Sequence, residues 1–305
     1  MPHIRIEAFF RFFCTMKHVH PIRRRLLFIC LLLVSLQGIA QNLHISGRFG
    51  FSNYQGDLQD QSLSFKQAKL AYSLGVRYDL SEHLTARALL SYSILTAADK
   101  NNKSLALQQR NLSFQTNLWE LEIGAQYNLF SLNDRWWTPY VFAGIAPFHI
   151  KPFALDNSGS KVFLQPLSTE GQGFAAGRKE YKSLQLAIPF GIGAEYALNE
   201  DMRVGLELGY RATFSDYVDD VSTTYADPAA LLANRGPKSL EMAYRGTSSY
   251  PATGSLRGNA KNKDAYYFVQ LTFTIRPFVD WYQRTSGLPS MKKDKRVGCP
   301  STRLY

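Results

Sequence analysis

The sequence predicts an all-β fold, an eight-stranded antiparallel up-and-down transmembrane β-barrel with short periplasmic turns and long extracellular loops. Three observations predict it. Eight segments read as strands, and all but the fifth carry the apolar–polar period of two that a half-buried strand imposes. The links between them alternate strictly between short and long, and the chain opens on a basic, then apolar, then small-residue stretch of the kind that directs export.

The first candidate strand is "LHISGRFGFS", from Leu43. In the second, Leu70, Tyr72, Leu74, Val76, Tyr78 and Leu80 alternate with Lys69, Ala71, Ser73, Gly75, Arg77 and Asp79; in the third, Leu84, Ala86, Ala88, Leu90, Tyr92 and Ile94 stand opposite Thr85, Arg87, Ser91 and Ser93. The fourth is "LWELEIGAQYNLF" near Leu118, where Leu112 and Phe114 run out of phase with Trp119, Leu121 and Ile123 and so predict a bulge. The fifth, "WTPYVFAGIAPFHI", is the least regular and contains Pro139 and Pro147. Clean alternation returns in the sixth (Leu184, Leu186, Ile188, Phe190, Ile192, Ala194, Tyr196, Leu198) and seventh (Val204, Leu206, Leu208, Tyr210, Ala212, Phe214), and "AYYFVQLTFTI" from Ala265 completes the set.

Tight links "DLSEHL", "SLNDRW" and "LNED" alternate with long ones at 54–66, 96–110, 151–180 and 215–263. A soluble sandwich has no reason to alternate loop lengths in step; an outer-membrane barrel with both termini in the periplasm does. Closure follows because lipid cannot hydrogen-bond an open sheet edge. Trp136, Trp137, Tyr78, Tyr127, Tyr140 and Tyr210, near strand ends, are expected in aromatic girdles.

Arg23, Arg24 and Arg25, "LLFICLLLVSL" and "QGIAQ" make residues 1–40 a secretory signal peptide, with Met16 as an alternative start. The barrel is then expected over 41–278, and 279–305 as a basic, disordered periplasmic tail. Cys14 and Cys30 leave with the signal, so Cys299 alone remains, which excludes an internal disulfide framework or a zinc site. The formal charge of +11 divides into +5 for residues 1–40, +4 for 278–305 and +2 for the body. A near-neutral body lacks the basic stripe that nucleic acid requires.

On this fold Arg77, Arg87, Glu120, Glu122, Glu195, Arg203, Glu207, Arg211 and Arg276 face inward, with Gln270 and several glycines. The bore of eight strands is filled by side chains, so these charges are expected to form a paired lumen network and not a pore. Three features raise the question of chemistry. His149 emerges at the same rim as Ser215 and Asp216, an arrangement open to general-base catalysis. Asp216, Asp219 and Asp220 in "SDYVDDVSTTYAD" are candidates for calcium, a cap on rim arginines or a solvated turn, although the spacing is not that of a calcium loop. No nucleophile elbow, zinc-protease helix or phosphate loop occurs, and no cofactor is expected.

"NYQGDL" at 53–58, "RNLSF" at 110–114, "PYVFAGIAPFHIKP" at 139–152, "ELGYRATFSDYVDDVSTTY" at 207–225 and the closing "DAYYFVQLTFTI" together resemble the PorG-like outer-membrane barrel family of the type IX secretion system, otherwise a domain of unknown function. The resemblance implies a non-enzymatic barrel of the bacterial outer membrane that anchors a periplasmic secretion ring by contact. Family membership leaves open whether this copy serves secretion. The expected partners are outer-membrane lipid and periplasmic ring proteins, met through the short turns and the C-terminal tail. Two rival readings remain at the level of sequence: a general outer-membrane stabiliser or surface ligand-binding barrel, and a rim-sited lipid or peptide hydrolase or acyltransferase.

Overall fold

Residues 42–59, 66–199 and 201–277 are described by the computed structural model; the expected signal peptide and the basic tail with Cys299 lie outside the described residues. Every alternating segment forms a strand. The order is β1 (Leu43–Gln55), β2 (Lys69–Asp79), β3 (Leu84–Ala98), β4 (Ser113–Asn128), β5 (Trp137–His149), a hairpin of β6 (Phe153–Leu155) and β7 (Lys161–Phe163), then β8 (Leu184–Ala197), β9 (Met202–Thr213) and β10 (Ala265–Ile275). The eight long strands each pair with their neighbours in chain order. β10 returns antiparallel to β1, from Ile45 opposite Ile275 to Gln55 opposite Ala265, and so closes the wall. The fold is a closed eight-stranded antiparallel barrel, with short turns after β2, β4 and β8 and long loops at the opposite end.

The bulge expected in β4 is absent. Its register against β3 runs unbroken from Leu84 opposite Tyr127 to Ala98 opposite Ser113. Phe114 and Leu118 share the inner face with Glu120 and Glu122. The polarity of that face changes along the strand while its phase does not, because the upper bore is apolar. β5 is regular despite its prolines, although its ladder with β4 has no pair at Ala146 or Pro147, where proline has no N–H to donate.

Period-two alternation puts Leu74, Ile123, Ile145, Ile192, Leu206 and Leu271 outside, exposed around the wall. Aromatic pairs stand on this belt towards both ends, with exposed Leu184, Leu186 and Phe214 continuing beyond them on the long-loop side. Phe49 meets Tyr72, Tyr92 meets Trp119 and Phe190 meets Tyr210 on the long-loop side; Phe130 meets Trp137 and Tyr127 stacks near His83 on the short-turn side. Trp119 and Tyr127 are eight positions apart on β4, about 27 Å along the strand and roughly 20 Å in height after a tilt of about 40°. That matches the apolar band of a bilayer-spanning barrel, about 25 Å. Tyr140 departs from the expected girdle: it is 2% exposed and points into the bore. The apolar stretch "YVFAGIAPF" has no polar partner positions to reveal which of its residues face inward. Among the described residues no helix is long and apolar enough to cross a membrane, which says nothing of the strands.

The long loops carry structure that alternation does not predict. α1 (Leu105–Arg110) lies between β3 and β4, and α2 (Pro228–Arg235) and α3 (Pro237–Ala243) lie between β9 and β10. Asp227 caps α2 by accepting from the Ala230 N–H at 2.9 Å, and Pro228 occupies the first helical position, where a missing N–H costs nothing.

Candidate functional site: a charged bore under an ordered cap

The bore holds charge in its middle. Glu207 on β9 is the hub: it accepts from Arg48 at 2.5 Å, from Arg87 at 2.9 and 3.0 Å and from the Tyr140 hydroxyl at 2.9 Å. Arg87 also stands 2.6 Å from Glu122, which accepts from Arg211 at 3.0 Å. Arg211 reaches Glu120 at 3.4 Å, and Glu120 accepts from the Tyr266 hydroxyl at 2.6 Å. Arg77 pairs with Glu195 and donates to Thr274 at 3.1 Å. Rings cover two of the guanidinium groups, Arg87 by Phe142 at 3.9 Å and Arg211 by Phe268 at 4.2 Å. Gly193 makes the room: a methyl there would overlap the Tyr140 ring.

Arg203 and Arg276 lie lower, at the short-turn mouth. Arg203 pairs with Asp79 at 3.0 Å and Arg276 approaches Asp201 at 3.8 Å, outside the central network. Sequence reasoning missed Arg48, Tyr140, Tyr266 and Asp79. Arg48 had a usable signal, since His44, Ser46, Arg48 and Ser52 share one parity of β1 and are all buried.

Above the charges the bore becomes apolar, and the long loop after β9 descends into it. Val218 and Val221 are buried with Phe114, Leu118, Phe148 and Phe268 in one cluster. Asp220, between them, adopts a left-handed backbone (φ 66°), a conformation that aspartate tolerates better than most residues. Two buried arginines then tie the loops together. Arg110, the last residue of α1, grips Asp99 twice at 2.7 Å, donates to the Asp57 carbonyl at 3.0 Å and also to the Arg257 carbonyl. Arg257 donates to Glu170 at 3.0 Å, to the Asp220 carbonyl at 2.6 Å and to the Ala243 carbonyl at 3.1 Å. Glu170 in turn accepts from the N–H groups of Ser222 and Thr223, each at 2.9 Å. All four long loops contribute to this cap.

Asp216, Asp219 and Asp220 are neither a solvated turn nor a clamp on rim arginines. Each carboxyl is buried and bonded separately. Asp216 accepts from Ser222 Oγ at 2.6 Å, and Asp220 from Thr169 at 2.6 Å and Tyr181 at 2.7 Å. Asp219 shares the Tyr54 hydroxyl with Asp264, at 2.7 and 2.5 Å. One phenol carries one proton, so one of those two contacts requires a proton on a carboxyl. Burial, with the Asp264 charge adding to it, holds Asp219 well above the usual carboxylate range, and burial does the same to Asp264. Burial also pushes Asp216 up to about 7 and Asp220 up to about 6. Among the described residues no group of three or more His, Cys, Asp or Glu side chains is placed to hold a metal ion.

The rim arrangement of His149 with Ser215 and Asp216 does not assemble. His149 has the parity of Val141 and Ile145 and sits between the outward residues Trp119 and Leu184, whereas Asp216 is buried inside. Strand period two separates them by the thickness of the wall.

The match to a family model spans residues 23–231, which takes in the wall from β1 to β9 and the loops as far as α2. This chain belongs to the DUF6089 family, a domain of unknown function. β10, which closes the DUF6089 barrel of this chain, lies beyond the matched span. No match to a curated protein sequence reaches significance. Among solved structures the DUF6089 protein is similar to Neisserial surface protein A (9% identity, TM-score 0.38, 77% of this chain and 97% of that one). It is also similar to the outer membrane protein OprG from Pseudomonas aeruginosa (10% identity, TM-score 0.37, 76% and 96%).

Replacing Glu207 by alanine strands Arg48 and Arg87 without their shared carboxylate. A loss of about 3–5 kcal/mol is expected, read from urea unfolding of the barrel in lipid vesicles. Removing the exposed Glu180 partner of Arg235 should cost about 1 kcal/mol or less by the same measurement.

The raised carboxyls of the cap set a pH dependence of unusual sign. Between about pH 4 and 7 the folded cap binds protons that the unfolded loop, titrating near 3.9, has released. The stability these carboxyls lend the cap is therefore greatest at the acid end of that window and falls as pH rises through it. Amide exchange over residues 216–223, corrected for intrinsic rate, should be slower at pH 5 than at pH 8. Equal or greater protection at pH 8 contradicts this.

Proposed function

We propose that this protein is a non-enzymatic barrel of the bacterial outer membrane that acts by contact, as an anchoring component of a type IX secretion machine. The sealed bore carries the reading. Paired charges cross its middle and the descending loop fills its top, so a solute has no route and the surfaces left to act are the two ends and the outer belt. The height of that belt and the aromatic pairs towards its ends support outer-membrane lipid as the surrounding solvent. The secretion reading rests on the resemblance of "NYQGDL", "RNLSF" and "SDYVDDVSTTY" to PorG-like barrels. Those segments supply Tyr54, Asp57, Arg110, Asp216, Asp219 and Asp220 to the cap. On this reading the turns at 80–83, 129–136 and 198–201 face the periplasm, and they are short enough to present a rigid surface to a ring protein. The basic tail would add charge on the same side.

A surface ligand-binding barrel unrelated to secretion has one observation in its favour. A cavity of about 440 Å³ opens on the cap between Asp57, Arg110, Tyr225, Tyr244 and Arg257, mixing aromatic and charged walls. Normal secretion after deletion of the gene would favour this reading.

The anchoring reading predicts that tagged protein, purified from detergent-solubilised outer membrane, brings down a component of the secretion ring. Replacing the three short turns with glycine–serine sequences should abolish the capture while leaving the barrel folded. Recovery of no ring component by the unaltered protein counts against it.

A further inference from the structure

Beside the upper ends of β3 and β4 the wall carries a groove of about 620 Å³, outside the charged bore network and bordered on one side by the cap. Its floor is polar, with Thr96, Ser113 and Gln115 on the outward parity of their strands. The β6–β7 hairpin, joined to β4 through Gln115 opposite Phe153, forms one side and contributes Phe153 and the half-exposed Leu155. Lys66, Lys69, Lys100 and Arg245 also line it, Lys69 from the exposed start of β2 on the parity of Ala71. The one carboxylate among its described lining residues, Asp156, is already held by Lys238 at 2.9 Å and by the N–H groups of Ser158 and Ser160. Arg245 donates to Ser113 Oγ at 3.3 Å. Among the described residues, no ion pair engages Lys69, Lys100 or Arg245.

Height selects the occupant. Lys69 stands three positions above Tyr72 of the upper girdle and Gln115 four above Trp119. With a rise of about 3.4 Å per residue and a tilt of about 40°, these lie roughly 8 and 10 Å above the aromatic ring, at the level of lipid headgroups. The flexible lysine stems extend the reach. A free anion would have no use for the apolar side of the groove, where Leu155 stands exposed.

We propose that this groove binds the phosphate-bearing headgroup of a lipid in the leaflet at the long-loop end, with Lys69, Lys100 and Arg245 on the phosphate and the exposed Leu155 against the first part of the chains. This rests on the membrane reading above. The test uses the full mature chain in phosphatidylcholine nanodiscs doped with lipid A or with the same lipid stripped of its phosphates, and native mass spectrometry reads the lipid retained. Wild type should retain the phosphorylated form preferentially. K69Q and K100Q, both at exposed positions, should each weaken retention roughly fivefold, and K69Q/K100Q/R245Q more than tenfold. Heat-modifiable migration on gels establishes that each variant is a closed barrel.

Equal retention of both lipid forms overturns the proposal, as does wild-type retention by K69Q and K100Q together. Displacement of the lipid by millimolar inorganic phosphate would make the groove a free-anion site and overturn the commitment to lipid. Failure of folded wild type to enter nanodiscs at all would sink the membrane reading itself, a separate outcome.

Discussion

A closed wall of eight strands leaves an interior no wider than the side chains that fill it, and this chain places four arginines there within reach of four glutamates. Everything else in the structure answers to that pairing. Charges in such a space are tolerable only when each finds an opposite charge and further hydrogen-bond partners. The inner face supplies both, with Glu207 joining Arg48 and Arg87, Glu122 joining Arg87 and Arg211, and the hydroxyls of Tyr140 and Tyr266 donating to Glu207 and Glu120. Glycine at 193 and the rings of Phe142 and Phe268 are the packing consequence of fitting guanidinium groups and tyrosines into one cross-section.

The same pairing divides the molecule along its axis. Below the network, Arg203 and Asp79 close the short-turn mouth with a shallower ion pair. Above it the bore has no charge left to neutralise and becomes an apolar socket, which Val218 and Val221 enter from the loop after β9. A loop held in that socket brings its aspartates with it. Buried carboxyls need hydrogen-bond donors, and Tyr54, Thr169, Tyr181 and Ser222 turn hydroxyls towards them. Arg110 and Arg257 then fasten the other loops to the one inserted. The result is a stopper whose strength resides in buried polar bonds, in contrast to the wall, whose outer surface is apolar.

Strands were legible in the sequence because one face meets an apolar medium and the other a polar interior, so Leu74, Ile123 and Ile192 announce their side through their neighbours. Tyr140 was not legible, since "YVFAGIAPF" offers apolar residues to both sides of the wall. Phe114 misled for the related reason that its inner face is apolar at that height. The cap lay beyond local pattern altogether. Tyr54 meets Asp219 and Asp264 across 165 and 210 positions of sequence, and Arg110 meets Arg257 across 147. His149 and Asp216 leave their strands at the same end, but they do so on opposite faces, a distinction that only parity counted along each whole strand reveals. The Asp227–Pro228 start of α2 did carry a local signal, the capping aspartate followed by a proline with no N–H to lose.

The central claim is that paired charges and an inserted loop seal the barrel. Conductance of the purified wild-type protein in a planar bilayer tests it most directly. The account predicts insertion, verified by protease-protected barrel fragments, without unitary current steps in molar potassium chloride. Stable ohmic steps of uniform size would show an open path through the bore and contradict it.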